Sequence, residues 1–267
     1  MNITLLANRD LASNFALNIL LPALASEHRL CVFLSDAVGG ATARPPELDQ
    51  LKFFEQTLFN DIVFPLVDAL GKHGSRRTFQ GLEDYTAGPI AALNGINKPE
   101  GLDRLRATEP DLILSIRYGG ILREEAISVP SLGVINLHSG LLPDYRGVMA
   151  TFRALLARES RIGTTVHYIR DAGIDTGEII DTTETPIVAG ASYLHQVLGL
   201  YPAGCEKLIA CVARLSAGES LATYPQPSGG QYFSFPDDTD LAQFREQGLV
   251  LFDPVEINSI AQQYFDQ

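Results

Sequence analysis

Two stretches, Pro110-Asp111-Leu112-Ile113-Leu114-Ser115-Ile116 and Gly133-Val134-Ile135-Asn136-Leu137, decide the fold. Each carries a short apolar run, the pattern of a buried strand. Gly119-Gly120 and a short helical run through Ala126 lie between them. Strands separated by helix-length segments form βαβ units and a mostly parallel sheet. The same alternation continues outward. Upstream, Asn2-Ile3-Thr4-Leu5-Leu6-Ala7 and Leu30-Cys31-Val32-Phe33-Leu34 read as strands around a helix over 11–24, with Asp10 or Ser13 as its cap. A loop over 39–46 leads into 48–70, which reads as helical with Pro65 breaking or kinking it. Residues 71–81 read as an exposed basic loop and 100–108 as a helix.

Downstream, 148–157 reads as a helix and 164–169 and 178–182 as strands joined by a glycine-bearing loop. A long helix over 191–215 follows, bent at Pro202 and Gly204. From Gly218 the composition shifts to Pro, Gly, Tyr and Phe. The expected architecture is α/β: a mostly parallel sheet flanked by helices in a main domain, 1–217, and a small C-terminal appendage, 218–267.

The chain has 267 residues, 46% hydrophobic and 19% charged, a balance that excludes disorder as the default. Its net charge of −12 works against broad contact with nucleic acid or anionic lipid. A small anionic substrate needs only a few local cations. Three cysteines without metal-ligand spacing argue against a disulfide scaffold or a structural zinc site. No metal constellation is visible. Neither a basic leader, a lipidation box nor an apolar run of membrane-spanning length is present, so the expected location is cytoplasmic.

In parallel sheets ligands gather beyond the carboxyl ends of the strands. Asn136 and His138 sit at such an end, two residues apart, so both side chains project to one side. An amide and an imidazole together suit a developing oxyanion, because both donate hydrogen bonds. A nearby carboxylate favours the imidazolium and accepts a proton. Asp175, in the loop between two expected strands, can return to the same crevice.

Asn136-Leu137-His138, then Leu141-Leu142-Pro143-Asp144-Tyr145-Arg146-Gly147, then Asp175-Thr176-Gly177 resemble the 10-formyltetrahydrofolate-dependent formyltransferase family. The resemblance is best over roughly 80–185 and implies a Rossmann-like catalytic domain. It also implies transfer of a formyl group from 10-formyltetrahydrofolate, as co-substrate, to an amine. Asn136 and protonated His138 then stabilise the tetrahedral oxyanion, while Asp175 tunes His138 and helps to remove the amine proton. By the same analogy the pterin lies between Arg117-Tyr118-Gly119-Gly120-Ile121-Leu122 and the loop from Asp171 through Ile174. The cofactor-contact set is Arg117, Tyr118, Gly119, Gly120, Leu122, Asp171 and Ile174.

The chain departs from the family in two places. It has Ser139-Gly140 where members commonly carry the reverse order, and Asn8-Arg9-Asp10 lacks a glycine-rich phosphate loop. The second departure lowers the odds of a glycinamide ribonucleotide acceptor. The acidic balance and short tail disfavour methionyl-tRNA. The acceptor favoured here is a nucleotide-linked amino sugar or similar small metabolite. A formyltetrahydrofolate hydrolase and a non-catalytic folate-binding module stay open beside it.

Alone, His138 reads as an ordinary hydrogen-bonded histidine; with Asn136, the Leu-Leu-Pro run and Asp175 it reads as part of a site. His167 divides evenly between strand packing and a site role. Arg146 reads as loop support, and Lys72, His73, Arg76 and Arg77 as a solvated loop in preference to a phosphate clamp. Arg117 is the better candidate for an anion contact. His28, His195 and the cysteines read as packing or surface. Tyr224, Tyr232, Phe233 and Phe235 fit an acceptor-site lining, a staple onto the main domain, or a subunit contact in a homodimer equally well.

Overall fold

The structure, a computed structural model, describes residues 1–36, 44–71 and 74–265. Its strands are β1 (Asn2–Asn8), β2 (Arg29–Ser35), β3 (Ala91–Ala92), β4 (Leu112–Ile116), β5 (Val134–His138), β6 (Tyr145–Gly147), β7 (Arg161–Ile169), β8 (Ile179–Pro186) and β9 (Gln231–Phe233). The α-helices are α1 (Leu11–Leu24), α2 (Pro46–Lys52), α3 (Phe64–Leu70), α4 (Pro99–Arg106), α5 (Glu124–Ile127), α6 (Ala150–Leu156), α7 (Tyr193–Ser216), α8 (Asp238–Glu246) and α9 (Pro254–Phe265).

Seven strands form one sheet in the order β3-β2-β1-β4-β5-β7-β8. The first five are parallel, and β7 and β8 continue the sheet antiparallel. The α/β, mostly parallel, helix-flanked architecture follows from apolar side chains on both faces of the central strands. Leu5 and Ala7 enter the larger core with α1 and α7, whereas Leu6 enters the smaller core with Leu102, Leu105 and Ala126. Side chains that alternate at a period of two require cover on both sides.

Three differences from the sequence reading have physical reasons. Residues 46–70 are not broken at Pro65: π-helical turns at Phe53–Thr57 and Phe59–Val63 run into α3. The widened turn just before the proline, where the Phe64 N–H bonds back to the Phe59 carbonyl, makes room for its ring. The tail, read from composition, contains α8 and α9, which send Leu241, Phe244, Ile257, Ile260 and Tyr264 into the main core. The Phe244 ring stacks on Phe152 with centroids 4.4 Å apart, and the Tyr264 hydroxyl donates to Asn14 Oδ1 at 2.6 Å. Arg76 and Arg77, the described residues of the basic cluster, are not loosely solvated either. Arg76 lies over the Phe15 ring and donates to Gln263, and Arg77 pairs with Asp84. Lys72, His73 and most of the loop over 39–46 lie outside the described residues.

Strand order reverses between β1 and β4, the usual ligand crevice of such sheets. Here the chain fills that position itself. Asp10 caps α1, accepting from the Ser13 N–H at 2.7 Å, and pairs with the Arg117 Nε at 2.9 Å. Glu55, on the first π-helical turn, approaches Arg117 at 4.0 Å, and its Oε1 has no hydrogen-bond partner among the described residues. Burial pushes the Glu55 carboxyl up to about 7; Arg117 opposes the rise and Asp10 adds to it.

Two outcomes follow. Phe244→Ala should cost about 3–5 kcal/mol in denaturant unfolding, because a stacked core ring is lost rather than an appendage contact. Because Glu55 binds its proton more tightly in the folded state, its favourable contribution is complete below about 4.5 and lost as pH rises through about 7. Glu55→Gln should therefore flatten the fall in melting temperature between those pH values.

Candidate active site

Asn136 and His138 are alternate residues at the carboxyl end of β5, with Leu137 between them turned into the core. The antiparallel partner β7 places His167 directly opposite Asn136. The loop after β7 doubles back, so that Asp175 reaches both. The Asp175 Oδ2 lies 3.5 Å from His138 Nδ1 and accepts from the Gly147 N–H at 2.9 Å. Its Oδ1 lies 3.4 Å from His167 Nε2 and 3.5 Å from Asn136 Nδ2. The three side chains singled out from the sequence therefore converge, and His167 joins them.

Local backbone chemistry explains this convergence. Asp175 has φ of 54°, a left-handed conformation that aspartate tolerates better than most side chains. Two residues on, a side chain at Gly177 would overlap the Tyr168 carbonyl, so only glycine lets the loop pack this closely on β7. A side chain at Gly140 would likewise collide with Ala150 and with the His138 ring. The Ser139-Gly140 order thus matches the space available beside the imidazole.

The Asp175 side chain is only 11% exposed. Burial raises its carboxyl, but His138, His167 and the Gly147 N–H outweigh that and bring it down to about 2. The resulting stabilisation is present above the ordinary value near 3.8 and disappears as pH falls toward 2. The His167 Nδ1 donates to the Tyr168 carbonyl at 2.9 Å, which leaves Nε2 turned toward Asn136, 3.0 Å away, and Asp175. The His138 Nε2 donates to the Tyr145 carbonyl at 2.7 Å. His138, 7% exposed, therefore has an oxygen beside each nitrogen, the Tyr145 carbonyl at Nε2 and the Asp175 Oδ2 3.5 Å from Nδ1. Asn136 is the half-buried member of the group.

The expected cofactor contacts divide into backbone and side-chain cases. The segment 117–122 leaves β4, whose Ile116 pairs with Leu137, so it and the Asp175 loop flank the end of β5. It is anchored by the Gly119 N–H to Ser35 Oγ at 2.9 Å and by the Tyr118 hydroxyl to the Leu93 carbonyl. The Arg117 guanidinium is bound internally to Asp10 and Glu55, contrary to its reading as an anion contact, and the Leu122 side chain belongs to the smaller core. Ile121 and Ile174 are exposed, as is Asp171, whose Oδ1 accepts from the Gly173 N–H. A cavity of about 220 Å³, lined in part by Ser139, Asp144, Tyr145, Thr151 and Glu159, contains none of Asn136, His138 or Asp175.

The sequence reading missed the backbone groups of Tyr145 and Gly147, which carry no side-chain signature. It also missed Gln226, whose Nε2 donates to the carbonyls of Asp175 and Gly177, each at 2.8 Å. Among the described residues no group of three or more His, Cys, Asp or Glu is placed to hold a metal ion, and no helix is long and apolar enough to cross a membrane.

The methionyl-tRNA formyltransferase of Halorhodospira halophila is 34% identical over 176 residues, covering 60% of this chain and 56% of that protein. That of Chromohalobacter salexigens is 35% identical over 144 residues, covering 53% and 43%. The chain spans about half the length of the curated relatives it matches.

Among solved structures, the N-formyltransferase of Helicobacter canadensis, in complex with folinic acid and dTDP-3-aminofucose, superposes with a TM-score of 0.57 at 17% identity. The match covers 90% of this chain and 72% of that one. Glycinamide ribonucleotide transformylase 1 of Symbiobacterium toebii gives 0.57 at 16% identity, covering 84% and 93%. These two likenesses carry the fold. The family profile described as formyl transferase matches residues 62–196, half of the chain, taking in β5, β7, Asn136, His138 and Asp175, and the chain belongs to that family.

Proposed function

We propose that the protein is an N-formyltransferase that moves a formyl group from 10-formyltetrahydrofolate to an amine. The observation that carries this reading is the meeting of Asn136, His138 and Asp175 at the end of β5. A formylated folate suits the two segments flanking that end. Gly119 and Gly120 permit close backbone approach, and Ile121 and Ile174 present apolar side chains for a flat ring. The donor supplies an acyl carbon already bonded to nitrogen.

The amine nitrogen forms a bond to the formyl carbon and loses one proton. The bond from that carbon to N10 breaks, and N10 gains one proton. Asn136 and His138 donate hydrogen bonds to the formyl oxygen as negative charge gathers there. For His138 this requires the Tyr145 carbonyl to give up Nε2. Asp175, with a carboxyl near 2, is too weak a base to keep the amine proton. Its work is to hold His138 aimed at the formyl oxygen, while the amine proton passes on toward N10.

The acceptor we favour is a nucleotide-linked amino sugar. The net charge of −12 works against a tRNA acceptor, whose backbone rewards cationic surface. A phosphate at the N-terminus of α1, as a ribonucleotide acceptor would place it, meets the Asp10 carboxylate already there. A methionyl-tRNA acceptor is the second reading, favoured by the curated relatives.

Purified protein incubated with 10-formyltetrahydrofolate and, separately, a nucleotide-linked amino sugar, methionyl-tRNA or water distinguishes the acceptors. Formylated sugar is expected; formylated methionyl-tRNA would move the assignment to the second reading, and catalytic formate release without amine would make the protein a hydrolase. His138→Asn and Asp175→Asn should each lower kcat by about 100-fold or more, with donor KM changed only a few-fold. Near-normal turnover in both would remove these residues from the centre.

A further inference from the structure

The loop that carries Asp175 depends on a residue far along the chain. The Gln226 Nε2 donates one hydrogen to the Asp175 carbonyl and the other to the Gly177 carbonyl, both at 2.8 Å. A primary amide has two N–H hydrogens, and both are used on this turn. The neighbouring backbone is fixed as well, since the Tyr224 N–H and carbonyl exchange hydrogen bonds with Ile179 at 3.0 and 2.9 Å. Further on, β9 pairs with β6, whose Gly147 N–H holds the Asp175 Oδ2. The carboxylate is thus gripped at its side chain by Gly147 and at its backbone by Gln226.

We infer that Gln226 is a positioning residue for formyl transfer, fixing the Asp175 loop from a segment that lies outside the residues matched by the family. The need for such a clamp is local. Asp175 holds a left-handed φ, and the turn passes too close to β7 for any side chain at Gly177. Releasing its two carbonyls lets the turn relax outward, and the 3.5 Å contact between Asp175 and His138 lengthens. Misplacement of a catalytic group by about 1 Å costs on the order of 100-fold in rate. Donor affinity falls less than turnover, because the loop that relaxes carries Ile174 beside Asp175, whereas the 117–122 segment on the other side of the proposed folate site is not touched by the amide.

This inference rests on the formyl-transfer reading, and its test separates the two. Gln226→Ala and Gln226→Glu are compared with the unaltered protein in steady-state kinetics and in amide hydrogen exchange over residues 171–178. Gln226→Ala should lower kcat by roughly 10- to 100-fold, with a smaller rise in donor KM, and should speed exchange in that segment. Gln226→Glu presents oxygens to two carbonyls at neutral pH, so its kcat relative to the unaltered protein should rise as pH falls and the carboxyl regains one donor. Unchanged kcat and unchanged exchange in Gln226→Ala would overturn the clamp, as would a flat pH ratio for Gln226→Glu. If the unaltered protein transfers no formyl group, the functional reading fails by itself, and the exchange measurement still decides whether Gln226 holds the loop.

Discussion

Keeping a carboxylate ionised at 11% exposure demands compensation from every side, and the structure around Asp175 supplies it. Removal from water opposes the charge; two imidazoles, an amide and a backbone N–H restore it. The compensating groups come from several parts of the chain. Asn136 and His138 come from β5, His167 from β7 and Gly147 from β6, while Gln226 in the tail steadies the loop itself. The sheet, its antiparallel extension and the tail therefore share one requirement: to bring these groups to one point and hold them there.

That requirement explains what the sequence did and did not disclose. The buried strands were legible because their apolar runs have few alternatives: β4 was placed residue for residue and β5 to within one. The segment from Asn136 to Gly147 was legible because side-chain chemistry and spacing both pointed to it. The Tyr145 carbonyl and the Gly147 N–H were hidden, since main-chain groups are the same at every position. Gln226 was hidden because a glutamine in a proline-rich stretch carries no periodicity. Helices α8 and α9 were lost to a reading by composition, although the capping box at Asp237 and Asp240 marks the start of α8 in the sequence. The π-helical turns before Pro65 reflect tertiary fit, and no local pattern announces them.

The strand-order reversal makes a different point. Many α/β sheets leave the space between the reversing strands for a ligand. Here Asp10 and Arg117 meet within it, beside a Glu55 poised to lose its proton near neutrality. The position is filled by side chains of the protein, and the groups suited to chemistry gather further along the sheet at β5. Arg117, attractive in the sequence as a cation beside a ligand segment, serves the interior instead.

The pairing of β6 with β9 joins residues 145–147 to residues 231–233 across a long span of chain. On the ribosome, Asn136 and His138 are synthesised well before that partner strand exists, and the central sheet lies wholly within the earlier segment. A nascent chain can thus form its central sheet while its chemistry is still unassembled. The site is complete only when residues 226–233 have emerged and folded back over the sheet.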